Sequence, residues 1–178
     1  MNKIESALQR ARDTKALITG QGVVNRTAEM FAILFPGQKA IIIADENTWE
    51  VAGKDVQASL DKAAITSYPA FIFTSKDFYA EWQHIETLKT HLENLDAIAI
   101  AVGSGVINDT VKLTSHLLGR KYMCVGTAAS MDGFTAYGAS ITKDGNKQTF
   151  DCPAPLGFVM DSVIAAAAPK ELAASGYA

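Results

Sequence analysis

The chain has 178 residues, 48% of them hydrophobic and 20% charged, with a formal net charge of −3. That length suits one ordinary domain or one half of a two-domain enzyme, with enough apolar material for a core. A mildly acidic chain without a basic stripe is a poor partner for nucleic acid, no apolar run is long enough for a membrane span, and the charged N-terminus lacks the apolar stretch of a signal peptide; the expected compartment is the cytoplasm.

The opening segment, 4–12, has a helical apolar pattern. Short runs rich in Ile and Val then alternate with longer helical patterns: strand 16–19, helix 23–35, strand 39–44, helix 48–62, strand 70–73, helix 78–92, strand 97–102, helix 106–118 and strand 122–125. The strand-like runs are too short and too uniformly apolar for a surface sheet. They fit a parallel sheet buried on both faces. The predicted fold class is therefore α/β, an open parallel Rossmann-like sheet with helices on both faces.

The alternation changes near residue 137. Two strand-like runs over 139–150 flank Lys143-Asp144-Gly145-Asn146-Lys147, and the Asp-Gly step predicts a β-hairpin. Residues 153–160 follow. Asp161 is placed to cap a short alanine-rich helix that Pro169 ends. Residues 170–178 begin another helical pattern and stop within it, which reads as a fragment. Two cysteines, Cys124 and Cys152, could form a disulfide, a metal pair or two buried thiols. Without a secretion signal they read as plain thiols.

Ligands of open parallel sheets bind where strands end and helices begin. Three such places carry suggestive residues. Asp45 ends a strand, where a carboxylate can accept hydrogen bonds from ribose hydroxyls; read alone, it is first a helix N-cap. Gly103-Ser104-Gly105 follows a strand and opens a helix, where backbone N–H groups attract phosphate. It equally reads as a tight turn, because Asn108 replaces the third fingerprint glycine and Asp45 precedes the loop. Thr127, Ser130 and Asp132 cluster after the next strand, where a capped turn would need only one of them.

The two motifs Gly103-Ser104-Gly105-x-Ile107-Asn108-Asp109-x-x-Lys112 and Thr127-Ala128-Ala129-Ser130-Met131-Asp132-Gly133 resemble the glycerol-1-phosphate dehydrogenases, most closely the bacterial AraM-type branch. The wider superfamily includes glycerol dehydrogenase, iron-containing alcohol dehydrogenases and 3-dehydroquinate synthase. The segment Phe158-Val159-Met160-Asp161, running on to Pro169, is similar to the family's link into its second domain. The resemblance implies a nucleotide-binding domain over 1–160 and the start of a helical metal-binding domain over 161–178. It implies that Gly103, Ser104 and Gly105 cradle the NAD or NADP pyrophosphate, with Asp45 on the adenosine ribose. A carboxylate there favours NAD. Asp109 falls near the nicotinamide end, Thr127 and Ser130 touch the cofactor, and Asp132 lies close to the substrate hydroxyls.

The family's divalent metal, zinc or nickel, is held by one Asp and two His of the second half. The resemblance thus implies no metal ligand within this chain, and His84, His91 and His116 read as surface or satisfied side chains. The implied reaction is hydride transfer between NAD(P)H and dihydroxyacetone phosphate, with a small polyol phosphate as partner. The oligomeric state stays open, a homodimer among the options. The rival readings are another polyol dehydrogenase of the superfamily and a nucleotide-binding module without catalysis.

Overall fold

A computed structural model describes residues 3–74, 78–131 and 133–176. Among them a six-stranded, all-parallel sheet has the spatial order β1-β8-β5-β4-β2-β3. Its strands are β1 (Ala16–Gly20), β2 (Ala40–Asp45), β3 (Phe71–Phe73), β4 (Ile98–Gly103), β5 (Tyr122–Gly126) and β8 (Gly157–Asp161). A separate antiparallel hairpin joins β6 (Ala139–Lys143) to β7 (Asn146–Phe150). The helices are α1 (Lys3–Arg10), α2 (Thr27–Leu34), α3 (Glu46–Thr48), α4 (Lys54–Lys62), α5 (Trp82–Leu92), α6 (Gly105–Leu117), α7 (Ser162–Ala167) and α8 (Lys170–Gly176). A 3₁₀ turn, Val23–Arg26, leads into α2, and a π turn, Trp49–Gly53, joins α3 to α4.

Period-2 alternation along each strand assigns residues to two cores. On one face Ile42, Ile100, Val125 and Val159 pack with Phe31 of α2 and Val56 and Leu60 of α4. On the other, Ile41, Ile43, Ala101 and Cys124 pack with Leu88 of α5 and Ile107 and Val111 of α6. Both sets are essentially inaccessible to solvent. Burial on both faces is why the strands carry no polar alternation. The hairpin has its own small core, in which Ala139 and Ile141 meet Ile85, Leu113 and Cys152. Its turn residues Asp144 and Gly145 both have positive φ, 52° and 76°, as a two-residue type I′ turn requires.

Five predicted strands and the hairpin stand as expected. The predicted helix over 78–92 starts only at Trp82, because residues before it are extended: Thr142 donates its N–H to the Ala80 carbonyl at 2.8 Å, and Glu81 bridges Thr142. The sequence reading assigned no element to residues 153–160, yet β8 enters the sheet between β1 and β5. Asp161 caps α7, accepting from the Val163 N–H at 3.0 Å. Its other oxygen accepts from the Val24 N–H at 3.2 Å, tying the turn after β1 to the start of α7. Both cysteines are free and buried, and burial pushes the Cys152 thiol up to about 11. No helix among the described residues is long and apolar enough to cross a membrane.

Candidate functional site

The strand order turns at one place. From β2 the chain runs outward to β3, then crosses back beyond β2 to β4 and on to β5. The crevice at the C-terminal ends of β2 and β4 is thus a topological switch point, where open α/β sheets bind ligands. Asp45 ends β2, Gly103 ends β4, and Gly126 ends β5 in register beside Gly103.

Asp45 is a helix cap. Its Oδ1 accepts from the Thr48 N–H at 2.8 Å, and Thr48 Oγ1 accepts from the Asp45 N–H at 3.1 Å, a reciprocal capping box. At the β4–α6 junction, Ser104 occupies the N-cap position in extended backbone and makes no side-chain capping bond. The N–H groups at the start of α6 therefore receive no acceptor from that side chain, and this end carries the positive pole of the helix. The two glycines serve different ends. A Cβ on Gly103 would lie 2.6 Å from the Ile107 Cβ, so Gly103 lets α6 close down on β4. A Cβ on Gly105 would meet the Met131 sulfur at 3.0 Å, so Gly105 faces the following loop.

That loop is tied to the first by the Thr127 N–H, which donates to the Gly103 carbonyl at 3.2 Å. Thr127 is buried. Among the described residues the Ser130 hydroxyl is buried without a hydrogen-bond partner, which a bound polar ligand would supply. Asp132 lies outside the described residues.

An open cleft of about 370 Å³ runs along this end of α6. Gly105, Val106 and Asp109 form one wall, Met131 another, and Ser140, Thr142 and Lys147 of the hairpin a third, with Tyr79 at the rim. A larger hollow of about 440 Å³ sits at the opposite end of the sheet, beside Phe35, Lys39 and Ile65. It is lined by the C-terminal end of α2 and the residues just after α4, not by a helix N-terminus, and it lies away from the switch point, so volume does not choose the site.

Asp109 is largely buried. Its Oδ2 accepts from the Ser140 N–H at 3.1 Å, and Lys112 Nζ lies 3.7 Å from Oδ1. Burial pushes its carboxyl up from the ordinary range, against the opposing pull of Lys112, the Ser140 N–H and Lys147. The sequence reading missed the hairpin's part in the cleft. The register was there to be read, since a two-residue turn at Asp144-Gly145 sets Thr142 opposite Lys147 and so on one face. What folds that face onto α6 is tertiary packing, with no local signal.

Among the described residues, no group of three or more His, Cys, Asp or Glu side chains could hold a metal. His84 packs against the stacked rings of Phe73 and Phe78, and burial lowers its pKa. His91 packs on Phe71, and exposed His116 lies near the other end of α6.

Residues 18–169 match the family described as iron-containing alcohol dehydrogenase. Curated relatives include the glycerol-1-phosphate dehydrogenase [NAD(P)+] of Bacillus licheniformis, 30% identical over 89% of this chain and 40% of its own length. That of Methanocorpusculum labreanum is 36% identical over 78% of this chain and 37% of its own. The chain thus spans well under half the length of these relatives. Solved structures agree in fold. Glycerol dehydrogenase from Schizosaccharomyces pombe superposes with a TM-score of 0.75 at 19% identity, over 93% of this chain and 41% of its own. An iron-containing alcohol dehydrogenase from Thermotoga maritima gives 0.77 at 15%, over 88% and 48%. In fold and in sequence, this chain belongs to the iron-containing alcohol dehydrogenase family.

Proposed function

We propose that this chain carries the dinucleotide-binding part of an NAD(P)- and metal-dependent oxidoreductase that interconverts dihydroxyacetone phosphate and sn-glycerol 1-phosphate. The observation that carries the reading is the start of α6, left without a side-chain cap by Ser104, beside Gly105 at the switch point of the sheet. The substrate class follows relatives named glycerol-1-phosphate dehydrogenase.

In this reading the N–H groups of Gly103, Ser104 and Gly105 hold the pyrophosphate, and Asp45 accepts from the adenosine ribose. Thr127 and the Ser130 hydroxyl, buried and without a partner among the described residues, hydrogen-bond the cofactor. Asp109 lies toward its nicotinamide end, with Lys147 as a cation on the facing wall. Asp132 orients the substrate hydroxyls. NAD(P)H, when bound, supplies the hydride. Zinc or nickel belongs to the proposal for the whole enzyme, but the described residues offer it no ligand set, so no step here runs through it. Residues 1–160 are the nucleotide-binding unit and 161–178 open a helical domain.

The test is NADH oxidation by the full-length gene product, with dihydroxyacetone phosphate compared against dihydroxyacetone, before and after chelation. The reading predicts preference for the phosphorylated substrate and loss of activity with the metal. Preference for the free polyol would assign a glycerol dehydrogenase. NADH binding without turnover would assign a nucleotide-binding module. The 178-residue chain alone is expected to show no turnover even with zinc or nickel added.

A further inference from the structure

Three polar side chains on neighbouring turns of α6 meet one stretch of backbone at every second residue. Asn108 Nδ2 donates to the Phe134 carbonyl at 3.4 Å. Lys112 Nζ donates to the carbonyls of Ala136 and Gly138 at 3.1 and 3.0 Å. Asp109 Oδ2 accepts from the Ser140 N–H at 3.1 Å. Tyr122, from β5, completes the set by donating its hydroxyl to Asn108 Oδ1 at 3.0 Å. Asn108 is fully buried and Lys112 is 1% exposed.

A lysine so deeply buried is costly unless its charge is met, and here two carbonyls and a carboxylate meet it. The stretch it holds has no regular structure of its own between the 3₁₀ turn Gly133–Thr135 and β6. Among the described residues two backbone ties remain: the Gly138 N–H donates to the Cys152 carbonyl at 2.8 Å, and the Ala136 N–H closes a turn on Gly133. The same helix that offers its N-terminus to the cleft therefore also sets where the opposite wall stands.

We propose that Lys112 is a positioning residue. By holding the Ala136 and Gly138 carbonyls, between the contacts that Asn108 makes with Phe134 and Asp109 with Ser140, it fixes the hairpin wall, with Ser140, Thr142 and Lys147, at a set distance from the phosphate-binding end of the same helix. This rests on the dinucleotide reading above and deepens it. The adenosine and pyrophosphate half of the ligand is held by β2 and the start of α6, which the contacts of Lys112 do not touch. The nicotinamide half lies against the wall that Lys112 holds.

The experiment compares ADP-ribose with NADH, on the wild-type chain and on Lys112→Met, with thermal unfolding of both proteins. NADH is followed by its emission and ADP-ribose by its displacement of NADH. The proposal predicts that Lys112→Met weakens NADH about tenfold while ADP-ribose affinity stays within about twofold. General destabilisation would weaken both ligands alike, and unchanged NADH affinity would overturn the role. If the wild-type chain binds neither ligand, the dinucleotide reading itself fails. A second measurement covers the case in which Lys112→Met does not fold. In the wild-type chain without ligand, the Gly138 and Ser140 amides should exchange with solvent as slowly as the middle of α6. Exchange as fast as at the hairpin tip, 143–146, would mean that the stretch is not held.

Discussion

At Asp45 the observed cap and the proposed ribose contact draw on different oxygens. The cap engages Oδ1, and a ribose would use Oδ2. Serine caps helices about as well as aspartate, so Asp45→Ser keeps the capping role while removing the charge. Its thermal stability should stay close to wild type, while the NADP-to-NAD affinity ratio should rise about tenfold, or about 1.4 kcal/mol. Titration of both cofactors reads this directly; an unchanged ratio would leave Asp45 as a cap alone. The same residue shows how far local sequence reasoning reaches. A carboxylate between an apolar strand and a helix is legible as a cap because capping is local. Its part in binding depends on the neighbouring strand, which only the fold supplies.

The junctions between strand and helix yield two stability predictions. At the end of β4 the atom nearest a Gly103 Cβ is the Ile107 Cβ, the root of a branched side chain on the rigid first turn of α6. It cannot swing aside, so Gly103→Ala should cost about 1–3 kcal/mol. Each kcal/mol corresponds to roughly 2–4 °C of Tm in a chain of this size. At the end of β8, burial pushes the Asp161 carboxyl up, but N–H groups of Val24, Val163, Gly22 and Ile164 outweigh it and hold the pKa below the ordinary range. A folded pKa below the unfolded one gives stability that is present above about pH 4 and lost as pH falls through the folded value. Acid unfolding of Asp161→Asn should lack that component. The amide keeps one oxygen for the Val163 N–H but leaves the Val24 N–H without an acceptor, so its Tm at neutral pH should fall by several degrees, in line with a cost of about 1–3 kcal/mol. An Asp161→Asn protein with the wild-type acid profile would remove this carboxylate from the account. The cap itself was legible from Asp161 before an alanine-rich run. The strand that delivers it was not: Phe158-Val159-Met160 is short, follows Pro153 and Pro155, and pairs with β1 and β5, partners distant in sequence.

Across the whole molecule, β2, β4 and β5 were readable because burial on both faces leaves a plain apolar signature, and the partly buried edge strands β1 and β3 because short apolar runs separate the helical patterns. The cleft was readable on one side only. Its α6 wall follows from strand, glycine loop and helix in succession. Its hairpin wall depends on buried contacts from Asn108, Asp109 and Lys112, whose polar side chains look like a solvated helix face in sequence. In the proposed function the start of α6 binds the pyrophosphate of a dinucleotide. The most direct measurement is NADH titration of the 178-residue chain beside Gly105→Val. The nearest neighbour of a new Cβ at Gly105 is the flexible end of Met131, so the variant should fold. Saturable NADH binding is expected for the wild type, weakened about tenfold or more in Gly105→Val at nearly unchanged Tm. Equal affinities in the two proteins, or no saturable binding by the wild type, would contradict it.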